Sequence, residues 1–181
     1  CACGSALVDE GTRLFCPNPS CSKKILHRLE KWLSVLAVRD FGSAILAKLL
    51  ASCRVRSIPD LYGLEPEELA EYDRMGTTLA RKILRNLASR GEGSLSRFVA
   101  GFDIEGIGEL NAEKAVAAGF DSLRKLREAG VEALASVDGL GEVTARSLVE
   151  GLASIGPEMD RLLATGAVRI AAPSLSGPLQ G

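Results

Sequence analysis

Apolar residues along this chain recur at the three- and four-residue spacing of amphipathic helices, in segments that come in pairs around short loops. Helix-start residues support this interpretation, since Ser94 and Ser122 precede apolar runs and Pro66 stands in a first turn. The pattern predicts a mainly α fold, in which one helix holds Leu123 and Leu126 and another lies near 158–163, in addition to four pairs of helices. The paired helices are predicted at 22–36 and 43–52, 65–71 and 77–89, 94–101 and 109–117, and 131–136 and 142–153.

The loops inside these pairs share one pattern, an apolar residue followed by loop residues and a glycine that opens the next helix. The glycines that close the four copies are 34, 32 and 33 residues apart, a near-constant period that indicates a repeated supersecondary unit. The copies read V-R-D-F-G from Val38, Y-D-R-M-G from Tyr72, I-E-G-I-G from Ile104 and V-D-G-L-G from Val137, closing at Gly42, Gly76, Gly108 and Gly141.

Glycine is expected in such turns because a Cβ would clash where the backbone takes a positive φ or lies close to another surface. The helix behind each closing glycine begins with N–H groups that lack an intrahelical partner, at the positive end of its dipole. These groups form an anion site that accepts a phosphate without a basic side chain. Small residues four positions after the glycine, Ala80, Ala112 and Ala145, would let the second helix approach the first.

The strings G-I-G-E-L-N-A from Gly106 and G-L-G-E-V-T-A from Gly139 resemble the helix-hairpin-helix motif, which binds the DNA sugar-phosphate backbone in many repair and replication proteins. Isolated G-x-G turns also simply join packed helices, but four copies in register favour the motif. The first copy has Asp40 in place of a glycine and Leu46 in place of the small residue, so we assign it to packing. For phosphate contact we rank the third copy, then the fourth, then the second, with these residues: Gly106, Gly108, Gly139, Gly141, Gly76, Arg74, Thr77, Asn111, Thr144 and Arg146.

The composition fits a helical array with an aliphatic core, at 46% hydrophobic and only 4% aromatic residues. The net charge of −1 argues against a protein that coats DNA. Basic residues are nevertheless concentrated in two segments. Residues 22–56 contain eight basic and two acidic residues, and residues 74–97 contain six basic and one acidic residue, whereas all charged residues of 60–73 are acidic. Such runs either form solvated helix faces or assist phosphate binding beside the turns.

Cysteines near the amino terminus flank a predicted β-hairpin with strands at 6–8 and 14–15 and a turn at 9–12. Thiolate pairs around a hairpin indicate a structural zinc site. The secure ligands are Cys3, Cys16 and Cys21, and the fourth is either Cys1 or a residue before this sequence, because Cys1-Ala2-Cys3 is one residue shorter than the usual spacing.

A disulfide or free thiols are the alternative to zinc at these cysteines. The fifth cysteine, Cys53, lies on an apolar helix and is expected in the core.

The sequence offers no recognisable catalytic set. His27, the only histidine, shares a predicted helix face with three lysines and is interpreted as solvated or bound to backbone. Glu67 and Glu68 lie on a predicted exposed helix with nothing nearby to raise a carboxyl pKa for acid–base work. No apolar run reaches the roughly 20 residues of a membrane span and no signal peptide is visible, so we expect no membrane partner and a cytoplasmic location.

A four-cysteine finger followed by four helix-hairpin-helix copies resembles the arrangement in the bacterial NAD-dependent DNA ligases. The resemblance covers residues 1–170 and includes C-P-N-P-S-C from Cys16, R-M-G-T-T-L-A-R-K-I-L from Arg74, and both G-x-G-E strings. In that family the finger opens C-P-x-C-G, which would put Cys1 in the proline position and the first ligand one residue before this sequence.

The resemblance implies a C-terminal part of an enzyme that seals nicks by passing AMP from NAD through an enzyme lysine. The K-x-D-G motif that carries this lysine does not occur here, so the chain should bind duplex or nicked DNA, as a monomer, without ligating it. NAD, magnesium, and the adenylation and OB domains would belong to upstream parts of the parent chain. The implied organisation is a zinc finger at 1–22, a helix-hairpin-helix DNA-binding domain at 23–164, and a linker at 165–181 toward a BRCT domain.

Two alternatives remain open at this stage. In the first, the chain would be a stand-alone helix-hairpin-helix module for repair or junction binding, an interpretation that the ligase-like finger disfavours. In the second, it would be a structural zinc and helical module, in which the turns only join helices and the finger docks a protein partner.

Overall fold

The computed structural model describes residues 1–9, 11, 14–38, 40–72 and 75–172. Of the predicted features, Glu10 and Thr12 in the hairpin turn, Arg74 in the second copy and 173–181 in the linker lie outside these residues. The described chain is mainly helical, which confirms the predicted fold class. Its elements are β1 (Val8–Asp9), β2 (Leu14–Phe15), α1 (Ser22–Val35), α2 (Ser43–Ala51), α3 (Ile58–Leu61), α4 (Pro66–Ala70), α5 (Thr77–Ser89), β3 (Glu92–Gly93), α6 (Leu95–Gly101), α7 (Glu109–Ala117), α8 (Leu123–Glu128), α9 (Val131–Ala135), α10 (Glu142–Ala164) and β4 (Arg169–Ile170).

The paired helices form where the apolar periodicity predicts them, with ends that differ by at most one residue until the last. Ser94 and Ser122 cap α6 and α8, since their side chains accept hydrogen bonds from the Arg97 and Lys125 N–H groups. The pattern missed α3, a single turn that begins with a capping box at Ser57 and buries its apolar residues.

The prediction of separate helices at 142–153 and 158–163 is wrong, because α10 runs unbroken for 23 residues through Pro157. The ring leaves the Ala153 carbonyl without its helical donor, but Ala153 is exposed to solvent, where water can satisfy it. Beyond the proline, Glu158 accepts hydrogen bonds from Arg28 on α1 (3.0 Å) and from the Ile58 N–H that opens α3 (2.9 Å). These contacts stabilise the helical continuation.

The core centres on an aromatic cluster between α1 and α6. The Trp32 ring lies edge-on to Phe98 and Phe102, with centroids 6.0 and 5.4 Å away. The Trp32 ring also lies so close to Gly101 that a Cβ there would collide with it, so the two helices meet at close range. Trp32 Nε1 also donates to the Tyr62 hydroxyl (3.1 Å), and burial raises the pKa of Tyr62 to about 12. These contacts fix α1 against the helices that follow.

Two arginines of the predicted basic segment 74–97 are used inside the fold. Arg97 Nε donates to the Val35 carbonyl (2.8 Å) and Arg90 Nη1 donates to the Leu36 carbonyl (3.2 Å), at the carboxyl end of α1. Cations there satisfy terminal carbonyls and the negative end of the helix dipole. Their role is therefore helix capping, and the charge count of the segment overstates what is available to a ligand.

The strands form two separate two-stranded sheets. β1 and β2 pair antiparallel, as predicted for a hairpin, with Val8 opposite Phe15. The first strand differs from the predicted 6–8, because Ala6 and Leu7 lie before it and Asp9, predicted in the turn, belongs to it. β3 and β4 pair in parallel, with Glu92 opposite Arg169, so the chain after α10 returns to the segment before α6. No helix in the described part of the chain combines the length and apolarity needed to cross a membrane.

Candidate nucleic-acid interface and metal centre

One backbone hydrogen bond is common to the turns of the second, third and fourth copies. In each, the N–H of the residue before the closing glycine donates to the carbonyl three residues earlier, at 2.9–3.0 Å: Met75 to Tyr72, Ile107 to Ile104, and Leu140 to Val137. The residue before the glycine is buried in all four copies, as Phe41, Met75, Ile107 and Leu140. A buried apolar residue thus anchors each turn and leaves the glycine at the surface.

The glycines of these turns fall into two kinds. Gly106 and Gly139 take a φ of +73°, as predicted for a glycine-dependent turn. The closing glycines of the third and fourth copies do not, because Gly108 has φ −97° and Gly141 has φ −74°. Gly42 and Gly76 are likewise at negative φ, and among the described residues a Cβ at any of the four would meet no atom within 4 Å.

The predicted steric reason for the closing glycines is therefore wrong within this chain, since neither backbone strain nor a close contact requires them. Each is instead the N-cap of the helix that follows, and none supplies a side-chain acceptor to the first N–H groups. Helices α6 and α8, which lie outside the turns, receive such an acceptor from Ser94 and Ser122. The first turns of the repeat helices keep exposed, uncapped donors.

The predicted phosphate-contact residues cluster around these helix starts. Thr77 is exposed at the first position of α5, and Thr144 is half-buried in the first turn of α10. Asn111 Nδ2 donates to the Gly106 carbonyl at 2.8 Å, so this side chain braces the third turn. Arg146 forms an exposed ion pair with Glu142 at 2.8 Å. Ala80, Ala112 and Ala145 are fully buried at the predicted small positions.

Turns and helices of neighbouring copies contact each other in pairs. Lys114 Nζ on α7 donates to the Gly139 carbonyl in the fourth turn at 3.1 Å, and Ile104 in the third turn packs on Gly151 of α10. In the first pair, Lys82 on α5 reaches Asp40 in the first turn at 3.1 Å. The two copies of each pair are thereby held as one unit.

Sequence reasoning missed these lysines, although the signal was present. Lys48, Lys82 and Lys114 each stand six residues after a closing glycine, and the fourth copy has Ser147 there. The smaller serine lines an open cleft with Gly106, whereas Lys114 fills the equivalent space above Gly139.

That cleft, about 1150 Å³ in volume, lies between α1, the third turn and α10. Its α1 wall carries Lys23, Lys24 and Lys31. Among the described residues Lys23 and Lys31 make no ion pair, so both charges are available. Part of the basic segment 22–56 thus lines the same cleft as the third turn, while Arg28 and Arg54 of the same segment pair with Glu158 and Glu68.

His27 lies on the wall of the same cleft and is not near the cysteines. Its Nδ1 is 2.6 Å from Asp103 Oδ2, and its side chain is 69% exposed. Asp103 directly precedes the third copy and takes a left-handed φ of 55°. The interpretation of His27 as a solvated residue holds, with an acidic partner that the sequence did not reveal.

The four amino-terminal cysteines converge in one cluster. The ligand sulfur atoms of Cys1, Cys3, Cys16 and Cys21 all lie within 4.8 Å of one another, with Cys1–Cys21 and Cys3–Cys16 at 3.6 Å. Tetrahedral zinc with Zn–S bonds of about 2.3 Å requires sulfur–sulfur separations of about 3.8 Å, so the donor set fits this metal. Cys1 is one of the four sulfur donors of this cluster, so the described residues can supply four ligands.

Hydrogen bonds around the cluster favour a thiolate at Cys3. The Ser5 hydroxyl, 3.4 Å from Cys3 Sγ, and the Ser5 backbone lower the pKa of Cys3 to about 6, helped by Asn18 Nδ2 at 3.6 Å. The pKa of Cys16 is raised, chiefly by burial. A thiolate is the form of cysteine that binds a divalent cation, and hydrogen bonds from surrounding polar groups stabilise it.

The cysteine cluster is joined to the repeats through α1. Lys24 Nζ donates to the Cys16 carbonyl at 3.1 Å and lies 4.4 Å from the centroid of the Phe15 ring. Cys53 lies apart from the cluster, and its predicted burial is wrong, because it follows α2 at a φ of 59° and is exposed.

Comparison with known proteins agrees with this architecture. Residues 102–154, which hold the third and fourth copies, match the family described as SAM-like helix-hairpin-helix tandem. The fold and the turns thus define a helix-hairpin-helix protein.

Over nearly its whole length the chain is similar to DNA ligases. It is 49% identical over 174 residues to the DNA ligase of Treponema denticola, covering 96% of this chain and 27% of that protein. Identity is 40% with the DNA ligase of Treponema pallidum and 37% with that of Sorangium cellulosum, each over 99% of this chain and over 22% and 26% of those proteins. The chain belongs to the DNA ligase family and spans about a quarter of the length of these relatives.

Proposed function

We propose that this chain binds duplex DNA through backbone phosphates at the amino-terminal ends of α7, α10 and α5, without reading base sequence. The closing glycines carry the proposal. Their φ values are ordinary and the space beside them is open, so their small size serves a molecule outside the chain. Uncapped N–H groups at the positive end of a helix are suited to a phosphate.

The predicted phosphate-contact residues have different roles at each helix start. Gly106 and Gly139 hold the turns at positive φ, and Gly108, Gly141 and Gly76 admit the phosphate to the N–H groups. Thr77, Asn111 and Thr144 provide neutral polar groups in the first turns, and Arg74 and Arg146 add positive charge. The third copy ranks first because its turn also borders the lysines of α1.

The lysines of the cleft extend this interface. Lys23 and Lys31 line the same cleft as Gly106 and Gly108, so they would neutralise neighbouring phosphates of the same duplex. Each neutralised phosphate contributes about −0.9 to the slope of log affinity against log salt. This contribution makes binding strong at low salt and independent of sequence.

In the parent protein, the proposed role is to hold the duplex around a nick for an NAD-dependent DNA ligase. The adenylation and OB domains, which would use NAD and magnesium, belong to other parts of that protein, and a monomeric chain in the cytoplasm suits this role. The chain alone should be inactive because it lacks the K-x-D-G lysine. We assign 1–22 to a finger with structural zinc on Cys1, Cys3, Cys16 and Cys21, 23–164 to DNA binding and 165–181 to a linker.

The test replaces the closing glycines by a residue that caps helices. A serine hydroxyl at position 108 and at position 141 would accept hydrogen bonds from the first-turn N–H groups and occupy the open space. We expect the Gly108→Ser/Gly141→Ser double variant to keep or slightly raise its melting temperature, because serine is a better N-cap than glycine. Its affinity for a short fluorescent duplex with one nick should fall about tenfold, the loss expected for hydrogen bonds to a charged group.

Gly130→Ser is the matched control. Gly130 is also an uncapped N-cap in open space, at α9, but it lies outside the repeat turns. Its affinity should equal that of the unaltered chain. If the double variant binds DNA as tightly as this control, the turns only join helices and the proposal is wrong.

A further inference from the structure

The exposed large apolar side chains of the described residues fall in two places, the amino-terminal hairpin and the first turns of repeat helices. In the second group, Leu110 on α7 is 64% exposed and Val143 on α10 is 81% exposed. Both are the second residue after a closing glycine, Gly108 or Gly141. A single exposed apolar residue is ordinary, but the same position in two paired copies indicates a shared use.

The surroundings of these residues restrict what can cover them. Val143 lines the cleft together with Lys23, Lys31 and the third turn, and the acidic residues Glu105 and Glu150 also line it. Lys23 and Lys31 make no ion pair among the described residues, so cations without a partner share this cleft with an apolar side chain. An apolar partner surface would leave those charges unpaired. A suitable partner must present negative groups and apolar surface at alternating positions.

The backbone of duplex DNA has this pattern, because its phosphates alternate with deoxyribose rings whose carbon faces line the minor groove. We propose that Leu110 and Val143 pack against deoxyribose in the minor groove, beside the phosphates held by α7 and α10. This inference rests on the proposed function and extends it from the charged to the apolar part of the backbone.

The corresponding positions in the other pair of copies support the assignment. The second residue after Gly42 is Ala44, and the second after Gly76 is Thr78, so neither offers a large aliphatic group there. The second copy instead exposes Leu79, 39% exposed, one position later in the first turn of α5, so a large apolar side chain recurs beside each of the three helix starts assigned to phosphate contact. The sugar contact and the phosphate contact therefore occur in the same turns.

The test exchanges apolar for polar groups of similar size. Val143→Thr replaces one methyl group by a hydroxyl, and Leu110→Asn keeps a branched side chain. We expect the double variant to bind the nicked DNA duplex about three- to tenfold more weakly, the scale of losing one or two buried methyl groups. The loss should be the same at every salt concentration, because no phosphate contact is removed and the salt slope is unchanged.

An RNA duplex of the same sequence gives a second measurement. Its minor groove displays 2′-hydroxyl groups, so leucine and valine gain little there. The unaltered chain should prefer DNA to RNA, and the double variant should lose part of that preference. Leu14→Asn is the control, because Leu14 is also 64% exposed but lies in the hairpin.

The outcomes separate this inference from the proposed function. If the unaltered chain fails to bind DNA at low salt, both are wrong. If it binds and the double variant binds equally well with the same DNA preference, only the sugar contact is wrong and the pair serves a protein surface. An equal loss in Leu14→Asn would also overturn the inference, since the effect would not be specific to the repeat helices.

Discussion

Lys114 Nζ on α7 donates a hydrogen bond to the Gly139 carbonyl oxygen in the fourth turn, at 3.1 Å. The two residues belong to different copies of the repeat, and the lysine stem covers the face of Gly139 where a Cβ would otherwise stand. This contact sets the distance between the helix start of the third copy and the turn of the fourth. Phosphates bound at the amino-terminal ends of α7 and α10 would therefore be held at a fixed separation.

We expect Lys114→Met to lower the free energy of unfolding by about 1 kcal/mol, because it keeps the aliphatic stem and removes one hydrogen bond. DNA affinity should also fall, since the spacing of the two turns is released. Urea unfolding and fluorescence anisotropy measure the two effects. Lys125→Met is the control, because Lys125 likewise donates to a backbone carbonyl, that of Gly119 (3.3 Å), and pairs with Asp121 (2.7 Å). Both partners lie within six residues of Lys125, so this variant leaves the link between the two copies intact and its DNA affinity should not change.

The cysteine cluster should hold one zinc ion per chain. Cys21 is 1% exposed and the other three sulfur atoms surround it, so Cys21→Ser should reduce the zinc content after dialysis to near zero. Cys1→Ser tests the fourth ligand and should also release the metal. Cys53→Ser should keep the full content, because Cys53 is distant in the fold. Zinc retained in Cys1→Ser would show that three thiols suffice or that another ligand replaces the fourth.

The link between Arg54 and Glu68 should make stability depend on pH at the acidic end. Arg54 donates to both Glu68 oxygens at 2.7 Å, and this contact, with the Glu65 N–H, lowers the pKa of Glu68 from 4.5 to about 2. A carboxylate with a lowered pKa stabilises the fold above its unfolded-state pKa, and the effect is lost as the pH falls toward about 2.

Glu68→Gln should therefore unfold at lower urea concentration near neutral pH, and its difference from the unaltered chain should shrink between pH 4.5 and about 2. Glu67→Gln is the adjacent control. Its partner Arg81 is 3.5 Å away, both side chains are more than half exposed, and such pairs contribute little. A difference for Glu68→Gln that does not change with pH would mean that packing, not ionisation, is responsible.

The sequence predicted the paired helices and their turns well, because amphipathic period and helix caps are local signals. It misjudged features that depend on distant residues. Arg90 and Arg97 looked available to a ligand, yet they cap α1 more than 50 residues earlier in the chain. Pro157 looked like a helix break, yet the contacts of Glu158 with α1 and α3 hold the helix together.

The glycines of the turns also show what the sequence alone could not predict. One motif contains glycines of two kinds, and only the three-dimensional structure separates them: Gly139 has a positive φ and is covered by Lys114, whereas Gly141 has an ordinary φ and open space beside it. The sequence could rank both as site residues but could not say that neither the backbone angle nor a close contact requires glycine at the second position. Similarly, irregular spacing put Cys1 in doubt, whereas its sulfur lies 3.6 Å from that of Cys21.

The parallel pairing of β3 with β4 has a topological consequence. Glu92 and Arg169 lie side by side, so the stretch between them, which holds the third and fourth copies, begins and ends at one place. A stretch with adjoining ends can be reopened elsewhere, for example at the exposed Gly119 between α7 and α8. The two ends of the tandem unit thus lie next to each other. The order in which its two hairpins are synthesised therefore need not determine how they pack together.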